Sequence, residues 1–177
     1  MKAIRALPSE VTASILAAST AFIGGTALHL PVWAIFIGWA GTYLAGGHAP
    51  GVLSSMWVAM PAGSTFALSI VLINEHIRTA LGTSQMAQNA VLALIILGVN
   101  TLLMYAGRTR LLHLVPAMFL GFASYFATYF GGFGWEPYDP LAAWIAVIAM
   151  NSLGPVFTII ATRISGERIS LMPPVNS

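Results

Sequence analysis

The chain has 177 residues, of which 58% are hydrophobic and 7% charged, against about 25% charged in soluble domains. A mean hydropathy of +0.84 predicts an integral membrane protein, and a net charge of +2 gives no basis for nucleic-acid binding. Cysteine is absent, which excludes disulfides and thiolate metal sites.

A bilayer core about 30 Å thick asks for about 20 apolar residues per helix. In chain order the apolar stretches run from Val11 to Leu30, Pro31 to Gly46, Gly51 to Ile73, Met86 to Tyr105, Leu114 to Phe130 and Leu141 to Ile164. The start, MKAIRALPSEVTASILAAS, has the positive and apolar regions of a signal peptide, but its apolar run continues to Leu30. A retained helix is therefore expected. The second and fifth stretches are the shortest, and each ends in a glycine pair, Gly46-Gly47 or Gly131-Gly132. They are read as full spans or as broken, partly re-entrant ones. The C-terminal SLMPPVNS is short, polar and proline-broken, and is expected to fray.

Charge sets the orientation. With the N-terminus inside, Lys2, Arg5, Arg108, Arg110, Arg163 and Arg168 all face the cytoplasm, while Arg78, Glu75, Glu136 and Asp139 lie outside. This is the positive-inside pattern, and it puts both termini in the cytoplasm. Trp33, Trp57, Trp135 and Tyr138 are candidates for the interfacial aromatic belts.

Residues 36 to 57, FIGWAGTYLAGGHAPGVLSSMW, are echoed by residues 119 to 144, FLGFASYFATYFGGFGWEPYDPLAAW. Phe36, Gly38 and Ala40 match Phe119, Gly121 and Ala123. Gly47, Pro50 and Trp57 match Gly134, Pro137 and Trp144 once the second copy is allowed four extra residues before the glycine. Each copy belongs to a half of three stretches, about 10–78 and 84–165. An odd number of spans per half makes the halves cross in opposite directions. The expected fold is all-α: a single polytopic membrane domain of six segments in two inverted repeats, with short, glycine-interrupted segments pointing to a site near the bilayer midplane.

No Asp, Glu, Lys or Arg lies within the stretches' interiors, which argues against proton coupling and against a charged substrate held by a fixed counter-ion. Glycines in such spans usually just pack helices, but Gly38 and Gly121 occupy matched places. Phe36 and Phe119, also matched, are expected to approach a common axis and form a narrow slot. Most span hydroxyls bond back to their own helix. Ser64-Thr65 follow Trp57 at the interval by which Asn151-Ser152 follow Trp144, so these four, together with Asn100, are candidate pathway residues. His29, His48, His76 and His113 are too dispersed for a metal site. No catalytic signature appears, and neither an enzyme nor a cofactor is expected.

The runs WAIFIGWAGTYLAGG and LVPAMFLGFASYFATYFGGFGW resemble those of a family of small bacterial inner-membrane proteins classified only as a domain of unknown function. That resemblance implies an inner-membrane location. The architecture is also similar to that of urea-transporter-type channels, which implies facing phenylalanines, hydroxyl-lined slots and a homo-oligomer, a trimer in those channels. The expected function is passive passage of a small uncharged polar solute, urea or a short amide, with the lipid bilayer and other copies of the chain as partners. The competing readings are an ion-coupled carrier or cation channel, and a non-transporting subunit that scaffolds a partner complex.

Overall fold

The computed structural model describes residues 7–78 and 84–166. Lys2, Arg5, Arg168 and the SLMPPVNS segment lie outside the described residues. The helices are α1 (Ser9–Gly24), α2 (Trp33–Leu44), α3 (Val52–Arg78), α4 (Gln85–Ala106), α5 (Val115–Phe130) and α6 (Pro140–Ser165). No strand occurs among the described residues. Three of these helices, α3, α4 and α6, are long and apolar enough to cross a membrane, and α1, α2 and α5 are shorter apolar helices. This is a membrane-type helical protein. At 1.5 Å per residue α2 is about 18 Å long and α5 about 24 Å, against about 40 Å for α3.

The first stretch does not run to Leu30 as one helix. It stops at Gly24, where the Gly25 N–H closes the last turn on the Ala21 carbonyl at 3.0 Å and the Thr26 hydroxyl donates to the Ile23 carbonyl. The glycine pair removes the side-chain packing a further turn needs, and Pro31 bars a helix from running through Leu30.

The ends of α2 and α5 are built alike. Gly47 N–H donates to the Thr42 carbonyl at 2.8 Å and Gly46 N–H to Tyr43, while Phe133 N–H donates to Thr128 at 3.0 Å and Gly132 N–H to Tyr129. This paired closure needs a left-handed residue just past the helix. Gly46 (φ 116°) and Gly132 (φ 68°) supply it. The glycine pairs of the sequence are thus helix stops.

α3 packs most extensively on α5, and α2 on α6; α3 also packs on α6 and α4, and α1 on α6. The larger core gathers Trp39, Tyr125, Val147 and Phe157, and a second one gathers Met56, Met60, Leu103 and Met118. The main neighbour of α4 is α3, and its Leu94, Leu97 and Leu102 point outward, the surface expected where the surroundings are lipid.

α6 begins at a built cap. Asp139 accepts the Ala142 N–H at 2.6 Å, with Pro140 in the first turn. Asp139→Ala is expected to cost about 1 kcal/mol, read as a lowered unfolding midpoint, whereas Asp139→Asn leaves it nearly unchanged.

Candidate functional site

Small residues let the principal helix pairs touch backbone to backbone. A Cβ on Gly63 would collide with the Met118 carbonyl, and one on Gly121 with the Met60 carbonyl. Each glycine therefore takes the carbonyl of the residue three places before the other glycine. The contact recurs where α2 meets α6: a Cβ on Gly38 would strike the Asn151 carbonyl, and one on Gly154 the Gly38 backbone. Cα–H groups facing carbonyls at this range add weak bonds to the packing.

Polar groups from the matched pairs sit at these crossings. The Ser64 hydroxyl donates across to the Gly121 carbonyl at 2.9 Å. Asn151, 1% exposed, has neither its amide nitrogen nor its amide oxygen bonded to any described group. Its backbone carbonyl also lacks the usual helical donor, because the residue four places on is Pro155, which has no N–H. Burying an amide without partners costs on the order of 1–3 kcal/mol, so this point of the core keeps hydrogen-bonding capacity that packing does not need.

The remaining predicted residues separate into those brought together and those not. Trp57 Nε1–H donates to the Ser152 carbonyl at 2.9 Å, and Trp144 Nε1–H to the Thr65 hydroxyl at 3.2 Å. The two bonds are reciprocal: the first matched pair, Trp57 and Trp144, reaches for the second, Ser152 and Thr65. They stitch α3 to α6 as antiparallel neighbours. Trp57 is thus part of an interhelical seam.

Phe36 and Phe119 do not form a slot with each other among the described residues. The ring neighbour of Phe36 is Trp39 at 6.5 Å, and that of Phe119 is Phe122 at 6.3 Å. Both side chains are turned outward, 38% and 39% exposed. The cause is helix phase: α2 buries Ala34, Ile35, Gly38, Trp39, Gly41 and Thr42, which leaves Phe36, Ile37 and Ala40 outside. Asn100 stands apart on α4, beside Thr101, Tyr105 and Arg108 on a shallow outer face, with its buried amide oxygen unbonded.

Residues 10–166 match the model of the DUF1097 family, described as proteins of unknown function. The chain belongs to the DUF1097 family. Both motif runs quoted above fall inside the matched span. No curated protein and no solved structure matches the chain.

In this DUF1097 protein a cavity opens at each end of the bundle. One, of about 460 Å³, is lined by Tyr43, Gly46, Gly47, His48, Ala49, Pro50 and Thr162. The other, of about 320 Å³, lies between α3, α4 and α5 and includes Asn74, Glu75, Arg78, Phe126 and Tyr129. The Tyr129 hydroxyl donates to Glu75 Oε1 there at 2.6 Å. The packed core containing Trp39, Tyr125 and Phe157 holds further unbonded polar atoms close in sequence to the candidates: Trp39 Nε1 and Ser124 Oγ. Sequence reading singled out neither as a pathway residue. Trp39 follows Gly38 and Ser124 follows Ala123, so adjacency to the matched motif was the available signal. Most other span hydroxyls bond their own helix, as Thr42 to Gly38, Thr101 to Leu97 and Thr158 to Gly154 do.

Proposed function

We propose that the protein is a membrane facilitator for small uncharged polar solutes, urea or short amides, with a gated passage between two inverted repeats. The observation that carries this is Asn151: a buried amide with no partner among the described residues, at a helix crossing, in a core flanked by a cavity at each end. An amide that can donate and accept is suited to replace the water lost by a small amide solute. With charged side chains confined to the end turns of the helices, such a solute is favoured over an ion. The repeat is supported by the reciprocal tryptophan bonds, by the like closures of α2 and α5, and by the pairing of α3 with α5 and of α2 with α6.

A packed core between the cavities favours a gate over an open pore. The seam between α3 and α6 is suited to be that gate, since its two bonds lie about 12 Å apart along α3, one toward each cavity. Releasing either lets the helices part at that end. The absence of native cysteine makes this measurable with single Ala49→Cys and Asn74→Cys reporters, one per cavity. Trp57→Phe is expected to speed maleimide labelling at Ala49→Cys about threefold, and Trp144→Phe to do so at Asn74→Cys, each removing a bond worth about 0.6 kcal/mol in lipid. Identical rates in all variants would rule the seam out as the gate.

The function itself is tested by stopped-flow light scattering of proteoliposomes challenged with urea, formamide, acetamide, glycerol and guanidinium. Fast amide flux, indifferent to pH and sodium, is the expected result. Dependence on an ion gradient would instead favour a carrier, and no flux above protein-free vesicles would favour a partner-scaffolding subunit.

A further inference from the structure

We propose that the cavity between α3, α4 and α5 is a recognition site for a neutral ligand that joins an amide group to a flat apolar body. Its volume of about 320 Å³ is at the lower end for small-molecule pockets, and far more than urea needs. Apolar walls come from Leu92 and Ile96 of α4 and from Phe126 and Phe130 of α5, while one stretch of α3 presents Asn74, Glu75 and Arg78. Glu75 and Arg78, three residues apart on a helix, project to the same side. A cation would meet Glu75 but also Arg78, and an anion the reverse. A neutral amide uses both, giving its N–H to the carboxylate and its C=O to the guanidinium. The Tyr129 hydroxyl, bonded to Glu75 Oε1 at 2.6 Å, fixes the carboxylate and leaves it further acceptor positions.

The opposite cavity is dressed differently, and the contrast points to recognition at one end only. Thr162 follows Trp144 at the interval by which Glu75 follows Trp57. Gly46 follows Phe36 as Tyr129 follows Phe119, and Tyr43 corresponds likewise to Phe126. The cavity near Thr162 is larger and partly walled by the α2–α3 connection, and its Thr162 and Gly46 offer no counterpart of the hydrogen-bonded Glu75–Tyr129 pair. A symmetric pore has no use for that difference; a site that binds at one mouth does.

The inference rests on the transport reading only for its sidedness, because binding is measured on purified full-length protein without any flux. The probes are benzamide, benzylammonium and benzoate, which share a ring and differ in charge, titrated by saturation-transfer NMR in nanodiscs. Benzamide is expected to bind saturably and more tightly than either ion. Glu75→Gln should weaken it at least tenfold, since charge-assisted hydrogen bonds are about twice as strong as neutral ones, and Tyr129→Phe severalfold. Thr162→Ala, in the other cavity, should leave it unchanged. Preference for either ion, equal benzamide binding by Glu75→Gln and Tyr129→Phe, or no saturable binding by the wild type would overturn the proposal, whatever the vesicle assay shows.

Discussion

Gly121→Ala is expected to lower stability by about 3 kcal/mol, while Gly98→Ala leaves it unchanged or raises it. Both exchange a helical glycine for a residue that favours helix by about 1 kcal/mol, so local propensity predicts a gain in each. Their surroundings differ. A Cβ at Gly121 meets the Met60 carbonyl, whereas one at Gly98 meets nothing within 4 Å. Overpacking typically costs about 1–3 kcal/mol, and here a backbone carbonyl must yield in place of a mobile side-chain tip. The α3–α5 crossing has to open. For a chain of this length that corresponds to a fall of about 10 °C in the unfolding midpoint in detergent. Gly63→Ala should match Gly121→Ala, and the double variant should cost less than their sum, because both open the same crossing. Equal midpoints for Gly121→Ala and Gly98→Ala would contradict the close approach.

Asn151→Leu is expected to separate stability from activity. Leucine is of similar size and removes a buried amide whose donor and acceptor are both unmet, so folding stability should hold or rise by about 1–3 kcal/mol. Amide flux in vesicles should nevertheless fall at least tenfold. That combination is the mark of a polar group kept for function. Ser64→Ala makes the comparison: its hydroxyl is spent on the Gly121 carbonyl, so it should lose about 1 kcal/mol of stability with flux little altered. A collapse of stability in Asn151→Leu with flux retained would assign Asn151 to structure alone.

Hydropathy and the glycine pairs made much of this fold legible beforehand. The stretches Gly51 to Ile73, Met86 to Tyr105 and Leu141 to Ile164 contain most of α3, α4 and α6, and the pairs at Gly46-Gly47 and Gly131-Gly132 end their helices. Rotation about the helix axis was the illegible part. Matching Phe36 to Phe119 fixes equivalent depth, but which way a ring points depends on where the partner helix finds small residues. Gly38 and Gly121 draw α6 and α3 onto one face and turn the phenylalanines to the other. The tryptophan match was visible as an echo, yet that Trp57 bonds near the second copy's polar pair and Trp144 at the first's is a property of two helices side by side. Asn74, Glu75, Arg78 and Tyr129 went unremarked as a group because the whole of α4 and most of α5 separate their sequence positions.

The principal contacts of this bundle join its early helices to its late ones: α2 rests on α6, and α3 on α5. During synthesis this has a cost in time. A ribosome that has released α1 to α3 has made few of these contacts, and the glycine faces of α2 and α3 must wait for their partners until α5 and α6 emerge. Over that interval the nascent chain depends on lipid or an insertase to shield those faces, and a truncation before α5 leaves a product for quality control. By the same logic, two separately translated pieces divided between α3 and α4 carry complementary surfaces and should reassemble in the membrane.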